Sequence, residues 1–304
     1  MSTIKIPPSL NINDTIKIIA PASRVEKDYM EQAVKSLTQL GYTVKLGENV
    51  FSEYYQFAGT DCQRLNDFQA VLNDEEVKAI FCARGGYGSL RIVNSLDFSG
   101  FRKLPKWIVG FSDITVFHSL LNGKYLISTV HAPMPVNANS PFFQENLRQL
   151  DAILKGKRPE IKNTNHPLNR FGSCRGRLVG GNLSILYSLQ STAYEIDTKN
   201  KILFIEDVGE QLYHLDRMLN NLKLSGKLKH LKGLIVGGMT SMEDKKRPFG
   251  KSSYEIIREA VNDFGFPVAF DFPAGHVDNN VPFVLGEEIK LSVTADNSII
   301  SYTA

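Results

Sequence analysis

The sequence predicts an α/β protein: an N-terminal parallel-sheet sandwich domain and a second, smaller mixed α/β C-terminal domain. Three observations predict it. Through the first half, short apolar runs alternate with segments whose apolar residues recur at helical spacing, the pattern of parallel strands with crossover helices. A polar stretch containing Pro159 and Pro167 then breaks the alternation. The length of 304 residues, 42% of them hydrophobic, suits two modest domains or one large one.

Taken in order, residues 16–20 form an apolar strand that ends in Pro21-Ala22-Ser23. Met30, Ala33, Val34, Leu37 and Leu40 fall on one helical face, and Gly41 supplies the stop. Residues 42–46 make the next strand, and Leu65, Phe68 and Leu72 mark the next helix. The strand at 77–83 runs into Arg84-Gly85-Gly86-Tyr87-Gly88, followed by a helix through Leu90, Val93 and Leu96. A strand from Trp107, a helix over 114–121 and a strand over 127–130 complete a first domain at 1–154. Residues 155–171 read as a linker. The second domain, 172–304, opens on Leu178-Val179-Gly180-Gly181-Asn182-Leu183 and has strands at 201–206, 233–237 and 268–272. Between them, Leu212, Leu215, Leu219 and Leu222 define one helix, and Tyr254, Ile257, Val261 and Phe264 another. Residues 289–294 and 299–302 flank Ala295-Asp296-Asn297-Ser298 as a terminal hairpin.

Composition excludes several functions. A net charge of +3, with no basic run interleaved with aromatics, gives no footprint for nucleic acid. Lys245-Lys246-Arg247 follows Glu243-Asp244 and reads as a solvated loop. Cys62, Cys82 and Cys174 are too widely spaced for a disulfide framework or a zinc site, and Cys82 lies in a buried strand. No two histidines show metal-ligand spacing with a nearby carboxylate, so neither metal nor cofactor is expected. The polar N-terminus does not resemble a signal peptide and no run is long enough to span a membrane, so the expectation is a soluble cytoplasmic protein that does not engage membranes.

Three strands end on a residue type that does chemistry. Trp107-Ile108-Val109-Gly110-Phe111 brings Ser112 and Asp113, Ile202-Leu203-Phe204-Ile205 brings Glu206 and Asp207, and the strand at 268–272 leads through Pro273-Ala274-Gly275 to His276. The carboxyl edge of an open α/β sheet is where ligands bind, and a hydroxyl, an imidazole and a carboxylate there supply nucleophile, base and orienter. Ser112 at a strand-to-helix bend resembles a nucleophile elbow, although Ile114 replaces the second glycine of that motif. The plainer alternative is a helix cap. Spacing alone leaves Glu206, Asp207 and Glu210 open as the carboxylate, and His131, which ends a strand, rivals His276 as base. The loop Arg84-Gly85-Gly86-Tyr87-Gly88 lets backbone approach a ligand closely. It lacks the lysine and hydroxyl of a P-loop and the spacing of a dinucleotide fingerprint. A second reading places the Gly86 N–H beside the Asp113 N–H as an oxyanion hole, and a third is a tight turn.

These residues together resemble the LD-carboxypeptidase family, the muramoyltetrapeptide carboxypeptidases, over nearly the whole chain. The motifs occur in the family's order: Pro21-Ala22-Ser23, Ala83-Arg84-Gly85-Gly86-Tyr87-Gly88, Gly110-Phe111-Ser112-Asp113, His131-Ala132-Pro133-Met134, Gly180-Gly181-Asn182-Leu183, Ile205-Glu206-Asp207 with Tyr213 and Arg217-Met218-Leu219, and Gly275-His276. Ala132 stands where the family usually has Gly. The resemblance implies a serine peptidase with Ser112 as nucleophile, His276 as base and Glu206 as its carboxylate. It also implies an oxyanion hole from the Gly86 and Asp113 amides, a muropeptide substrate losing a terminal D-amino acid in cell-wall recycling, and a homodimer. A carboxypeptidase must also neutralise the substrate's terminal carboxylate. Arg84, beside Gly85, is the candidate for that role, its alternative being a structural ion pair. Two other functions fit the same fold: a microcin C-type peptidase cleaving aminoacyl-nucleotide amides, with substrate choice set by the loop at 243–251 and its Phe249, and a noncatalytic muropeptide-binding module.

Overall fold

The computed structural model describes residues 3–303, which form two compact units. The first comprises Met1–Lys157 with Asp278–Leu285, and the second Arg158–Val277 with Gly286–Ala304.

In the first unit β1 (Thr15–Ile19), β2 (Thr43–Leu46), β3 (Val77–Cys82), β4 (Trp107–Gly110) and β5 (Thr129–His131) are joined by α1 (Lys27–Gln39), α2 (Asp61–Asn73), α3 (Ser89–Ile92), α4 (Ser99–Lys103) and α5 (Thr115–Ser119). α6 (Phe143–Leu154) closes the unit's main segment. The order across the sheet is β5-β4-β3-β1-β2, all parallel. The central strands are buried on both faces, which explains their unbroken apolar runs. Trp107, Ile16, Ile18, Phe68 and Phe117 are among the fully buried side chains of this unit. Thr60 caps α2 through a reciprocal capping box with Gln63, satisfying two otherwise orphaned N–H groups.

The second unit holds β6 (Ile161–Thr164), β7 (Gly172–Asn182), α7 (Leu183–Ser188), β8 (Lys201–Val208), α8 (Leu212–Leu224), β9 (Gly233–Thr240), α9 (Ser253–Ala260), β10 (Val268–Ala269), β12 (Glu288–Val293) and β13 (Asn297–Tyr302), while β11 (Phe283–Leu285) returns to the first. Its sheet runs β10-β9-β8-β7-β12-β13-β6. β7 joins two regimes: residues 177–182 pair parallel with β8 and residues 172–177 pair antiparallel with β12. Leu203, Ile205, Leu215, Met218, Leu219, Val236 and Ile257 pack into one buried cluster between strands and helices.

The structure corrects three sequence expectations. Residues 155–171 are not a free linker, because Ile161–Thr164 pairs antiparallel with β13 at the sheet edge. A four-residue strand of mixed polarity at an edge leaves little hydrophobic signal. The division between units is not a single cut, since Phe283–Leu285 adds an antiparallel strand beside β5. The helix expected over 114–121 is a 3-10 turn at Ser112–Ile114, then α5, then a π-helical turn at Leu120–Tyr125.

Candidate active site

The chemistry-bearing residues of the first unit gather at the carboxyl ends of β3 and β4. Ser112 follows β4 after Phe111, half-buried, with φ at +63°. A non-glycine residue in the left-handed region costs roughly 1–2 kcal/mol, and such strain persists where the surroundings enforce it. Here the glycine loop contributes: a Cβ at Gly85 would lie 2.9 Å from Ser112 Cβ and 3.3 Å from Asp113 N. Only a residue without a side chain lets the loop come this close to the serine. Gly85 O in turn accepts from Ser23 N at 3.0 Å, and Ser23 Oγ accepts from Tyr87 N at 3.3 Å. Pro21-Ala22-Ser23 therefore braces the loop.

Asp113 contributes its side chain as well as its amide. The carboxylate is buried and accepts from Ser89 N at 2.8 Å, capping α3. Burial pushes its carboxyl upward, against the Ser89 hydrogen bonds and the nearby Arg64 charge. His118 is wholly buried on α5, with Nε2 2.9 Å from Gly110 O. Burial holds its imidazole down to about 4, so the ring is neutral and donates to that carbonyl, fixing the end of β4.

Arg84 is half-buried and donates from Nη1 to Arg24 O at 3.1 Å. Its side chain makes no ion pair among the described residues. His131, the rival base, is fully buried, 3.0 Å from Asn280 Oδ1 through Nε2 and stacked 4.8 Å from the Phe283 ring. That packing gives it a structural place.

In the second unit Glu206, at the end of β8, is wholly buried. Its Oε2 lies 2.7 Å from His276 Nδ1 and accepts from His276 N at 3.2 Å. One carboxylate oxygen thus fixes both the ring and the backbone of the histidine. The imidazole keeps 21% exposure. Burial disfavours the imidazolium, but the Glu206 charge and hydrogen bond outweigh it, and the His276 pKa lies above the ordinary value. Gly275 permits the approach: at φ +103°, a Cβ there would lie 2.6 Å from Glu206 Cβ, Cγ and Oε2. Thr240 Oγ1 donates to His276 O at 2.9 Å and anchors the same turn.

The other two carboxylates left open by sequence have different partners. Asp207 accepts from Asn182 Nδ2 at 3.0 Å and from Ser184 N and Val208 N, both at 2.9 Å. It organises the start of α7, and burial together with the Glu206 charge pushes it up to about 7. Glu210, just ahead of α8, pairs through Oε2 with His214 Nδ1 in the first turn of that helix at 2.5 Å. Of the three, Glu206 is the one hydrogen-bonded to the ring and the backbone of His276 among the described contacts. Among the described residues no group of His, Cys, Asp and Glu is arranged to hold a metal, and no helix is long and apolar enough to cross a membrane. A cavity of about 660 Å³ in the first unit is lined by Val77, Leu104 and Lys106 at the amino ends of β3 and β4. Ser112, Arg84, Gly85 and Gly86 are not part of its lining.

The first unit thus presents a left-handed serine beside a glycine loop, and the second a histidine held by a buried carboxylate. The profile of the LD-carboxypeptidase N-terminal domain matches residues 16–132, and that of the LD-carboxypeptidase C-terminal domain matches residues 175–291. The chain belongs to the LD-carboxypeptidase family, whose activity is that of a carboxypeptidase. It is 35% identical over 301 residues to the probable murein peptide carboxypeptidase of Bacillus subtilis (strain 168), covering 97% of this chain and 93% of the relative. It is 29% identical over 295 residues to the murein tetrapeptide carboxypeptidase of Pseudomonas aeruginosa, covering 92% and 94% respectively. The crystal structure of muramoyltetrapeptide carboxypeptidase from Oxalobacter formigenes superposes with a TM-score of 0.85 at 28% identity, over 95% of this chain and 99% of that one. The microcin C7 self immunity protein MccF in complex with aspartyl sulfamoyl adenosine has a TM-score of 0.86 at 21% identity, over 98% of each chain; that likeness is one of fold.

Proposed function

We propose that this protein is a serine LD-carboxypeptidase that releases D-alanine from the end of a murein tetrapeptide in the cytoplasm, as a homodimer, during cell-wall recycling. Ser112 is the nucleophile, His276 the general base and Glu206 the carboxylate that orients it. The observation that carries this reading is the buried Glu206 bound to both Nδ1 and the backbone N–H of His276. A carboxylate sunk in a sheet end and bonded twice to one histidine sets the tautomer in which Nε2 accepts a proton.

In the proposed reaction, His276 Nε2 takes the Ser112 hydroxyl proton as Oγ attacks the scissile carbonyl carbon. The Gly86 and Asp113 N–H groups receive the oxyanion, each worth about 3 kcal/mol in comparable sites. His276 then protonates the departing amine of D-alanine, leaving a Ser112 ester. Water loses a proton to His276 and attacks that ester, and the proton returns to Ser112. Through both steps Glu206 stabilises the imidazolium. Arg84 holds the terminal carboxylate of the substrate. Among the described residues its guanidinium has one hydrogen bond, to Arg24 O, which leaves donors for a bidentate contact.

The test compares three substrates with the purified protein: a tetrapeptide ending in D-alanine, the same peptide ending in L-alanine, and an aminoacyl sulfamoyl adenosine. Release from the D-alanine peptide alone is expected. Cleavage of the nucleotide with the peptide untouched would overturn the murein assignment. Binding of muropeptide without release of any product would make the protein a noncatalytic binding module.

A further inference from the structure

Arg64, on α2, has no obvious part in a hydrolase, yet it is one of the most deeply buried side chains of the first unit, at 1% exposure. Its Nη1 donates to Pro21 O at 2.9 Å and to Gly88 O at 3.1 Å. Those carbonyls belong to the two segments that frame the oxyanion loop: Pro21-Ala22-Ser23 and the last residue of Arg84-Gly85-Gly86-Tyr87-Gly88. Gly88 admits the arginine only because it lacks a side chain, since a Cβ there would run into Nη1 and into Ala22 Cα. Asp61 forms an ion pair with Nη2 and is itself held by Arg91 at 2.7 Å. The Phe57 ring covers the guanidinium at 4.8 Å, leaving little room for another orientation.

The peptide after Gly88 is held from both sides. Its carbonyl takes the Arg64 hydrogen bond, and its N–H, that of Ser89, donates to the Asp113 carboxylate at 2.8 Å. Asp113 directly follows Ser112, and its own amide is one of the two proposed oxyanion donors. A cation and an anion therefore grip one peptide group that fixes the glycine loop to the serine turn.

We propose that Arg64 is a positioning residue, which sets the Gly86 N–H against the Asp113 N–H by clamping the Gly88 peptide together with the Asp113 carboxylate. The proposal rests on the serine-peptidase reading above. Its cost is the burial of an arginine, and its return is rigidity in a loop where Gly85, Gly86 and Gly88 would otherwise leave the backbone loose. Both carbonyls take their bonds from Nη1 while Nη2 keeps Asp61; lysine ends in one nitrogen, a bond short of Nη1, and cannot hold the carbonyls and Asp61 in this planar arrangement, so charge alone does not replace arginine.

The test uses the full-length protein, Arg64→Lys and Arg64→Ala, with melting temperature recorded for each and all rates measured where each is folded. Two readouts are taken: the rate of fluorophosphonate labelling, whose adduct places an oxygen in the oxyanion hole, and kcat and KM for D-alanine release. We expect Arg64→Lys to label about 30-fold more slowly and to lose a similar factor in kcat, with KM changed less than threefold. Guanidinium chloride at low millimolar concentration is expected to restore at least tenfold of the Arg64→Ala labelling rate, with ammonium inactive. A purely structural arginine would lower the melting temperature and leave the labelling rate of folded Arg64→Lys within twofold of the wild type. That result overturns the proposal and leaves the peptidase intact. A wild type that does not label at all overturns the serine-peptidase reading and the positioning role with it.

Discussion

Replacing Glu206 by Gln removes the charge on which His276 depends while keeping the shape of the side chain. The carboxylate is wholly buried, with Oε2 2.7 Å from Nδ1. With charge centres roughly 4 Å apart and an effective dielectric of about 20, the lost attraction on the imidazolium is about 4 kcal/mol. Under the proposed mechanism His276 is cationic in the transition state, and that loss converts to about a thousandfold in kcat at 1.36 kcal/mol per tenfold. The pH dependence carries a sign. In the proposed mechanism His276 takes the serine proton only when neutral, and Glu206 holds its pKa above the ordinary value, against burial. In the wild type, activity is therefore lost as pH falls through a value above about 6.5. In Glu206→Gln the imidazole is easier to keep neutral, so the acid limb of kcat/KM moves to lower pH while the plateau drops. The assay is D-alanine release between pH 5 and 9, with melting temperature measured alongside. A variant within tenfold of the wild type, or an acid limb that does not move, would refute the assignment of Glu206 as the orienting carboxylate.

Three further outcomes are expected. Gly275→Ala forces a Cβ to within 2.6 Å of Glu206 at a φ of +103°; kcat should fall at least a hundredfold, and an active variant would mean that the turn does not set the Glu206–His276 pair. His118, held down to about 4 by burial, resists protonation in the fold, so between pH 7 and pH 4 the wild type should lose about 3 kcal/mol of stability relative to His118→Gln. Denaturant unfolding of both proteins at the two values measures this, and a parallel pH dependence would refute it. Arg84→Ala should raise KM for the tetrapeptide about tenfold with little change in kcat or melting temperature, whereas an unchanged KM would discard Arg84 as the carboxylate anchor.

The strands that carry the site were legible because they are buried on both faces. Val77–Cys82, Trp107–Gly110 and Lys201–Val208 announce themselves as apolar runs, and their polar end residues stand out against them. Ser112, Glu206 and His276 were visible for that reason. Choosing Glu206 over Asp207 was beyond pattern reading: adjacent strand residues point to opposite faces, and nothing local says which face holds the histidine. The crossing of β11 into the first unit was hidden too, because three apolar residues after a loop give no sign of the sheet they join. Arg64 was invisible for a different reason. An arginine three residues after an aspartate reads as a solvated i,i+3 pair on a helix, and its burial depends on carbonyls at Pro21 and Gly88, distant in sequence. The motifs Pro21-Ala22-Ser23 and Arg84-Gly85-Gly86-Tyr87-Gly88 each marked a segment, but only the fold shows that Ser23 and Arg64 tie the two together.

The most direct measurement incubates the purified protein and Ser112→Ala, both verified as folded, with murein tetrapeptide and follows D-alanine release by mass. The account predicts release by the wild type and none above background by Ser112→Ala. Equal release by both would contradict it, reducing Ser112 to the first residue of a strained turn and placing the nucleophile elsewhere.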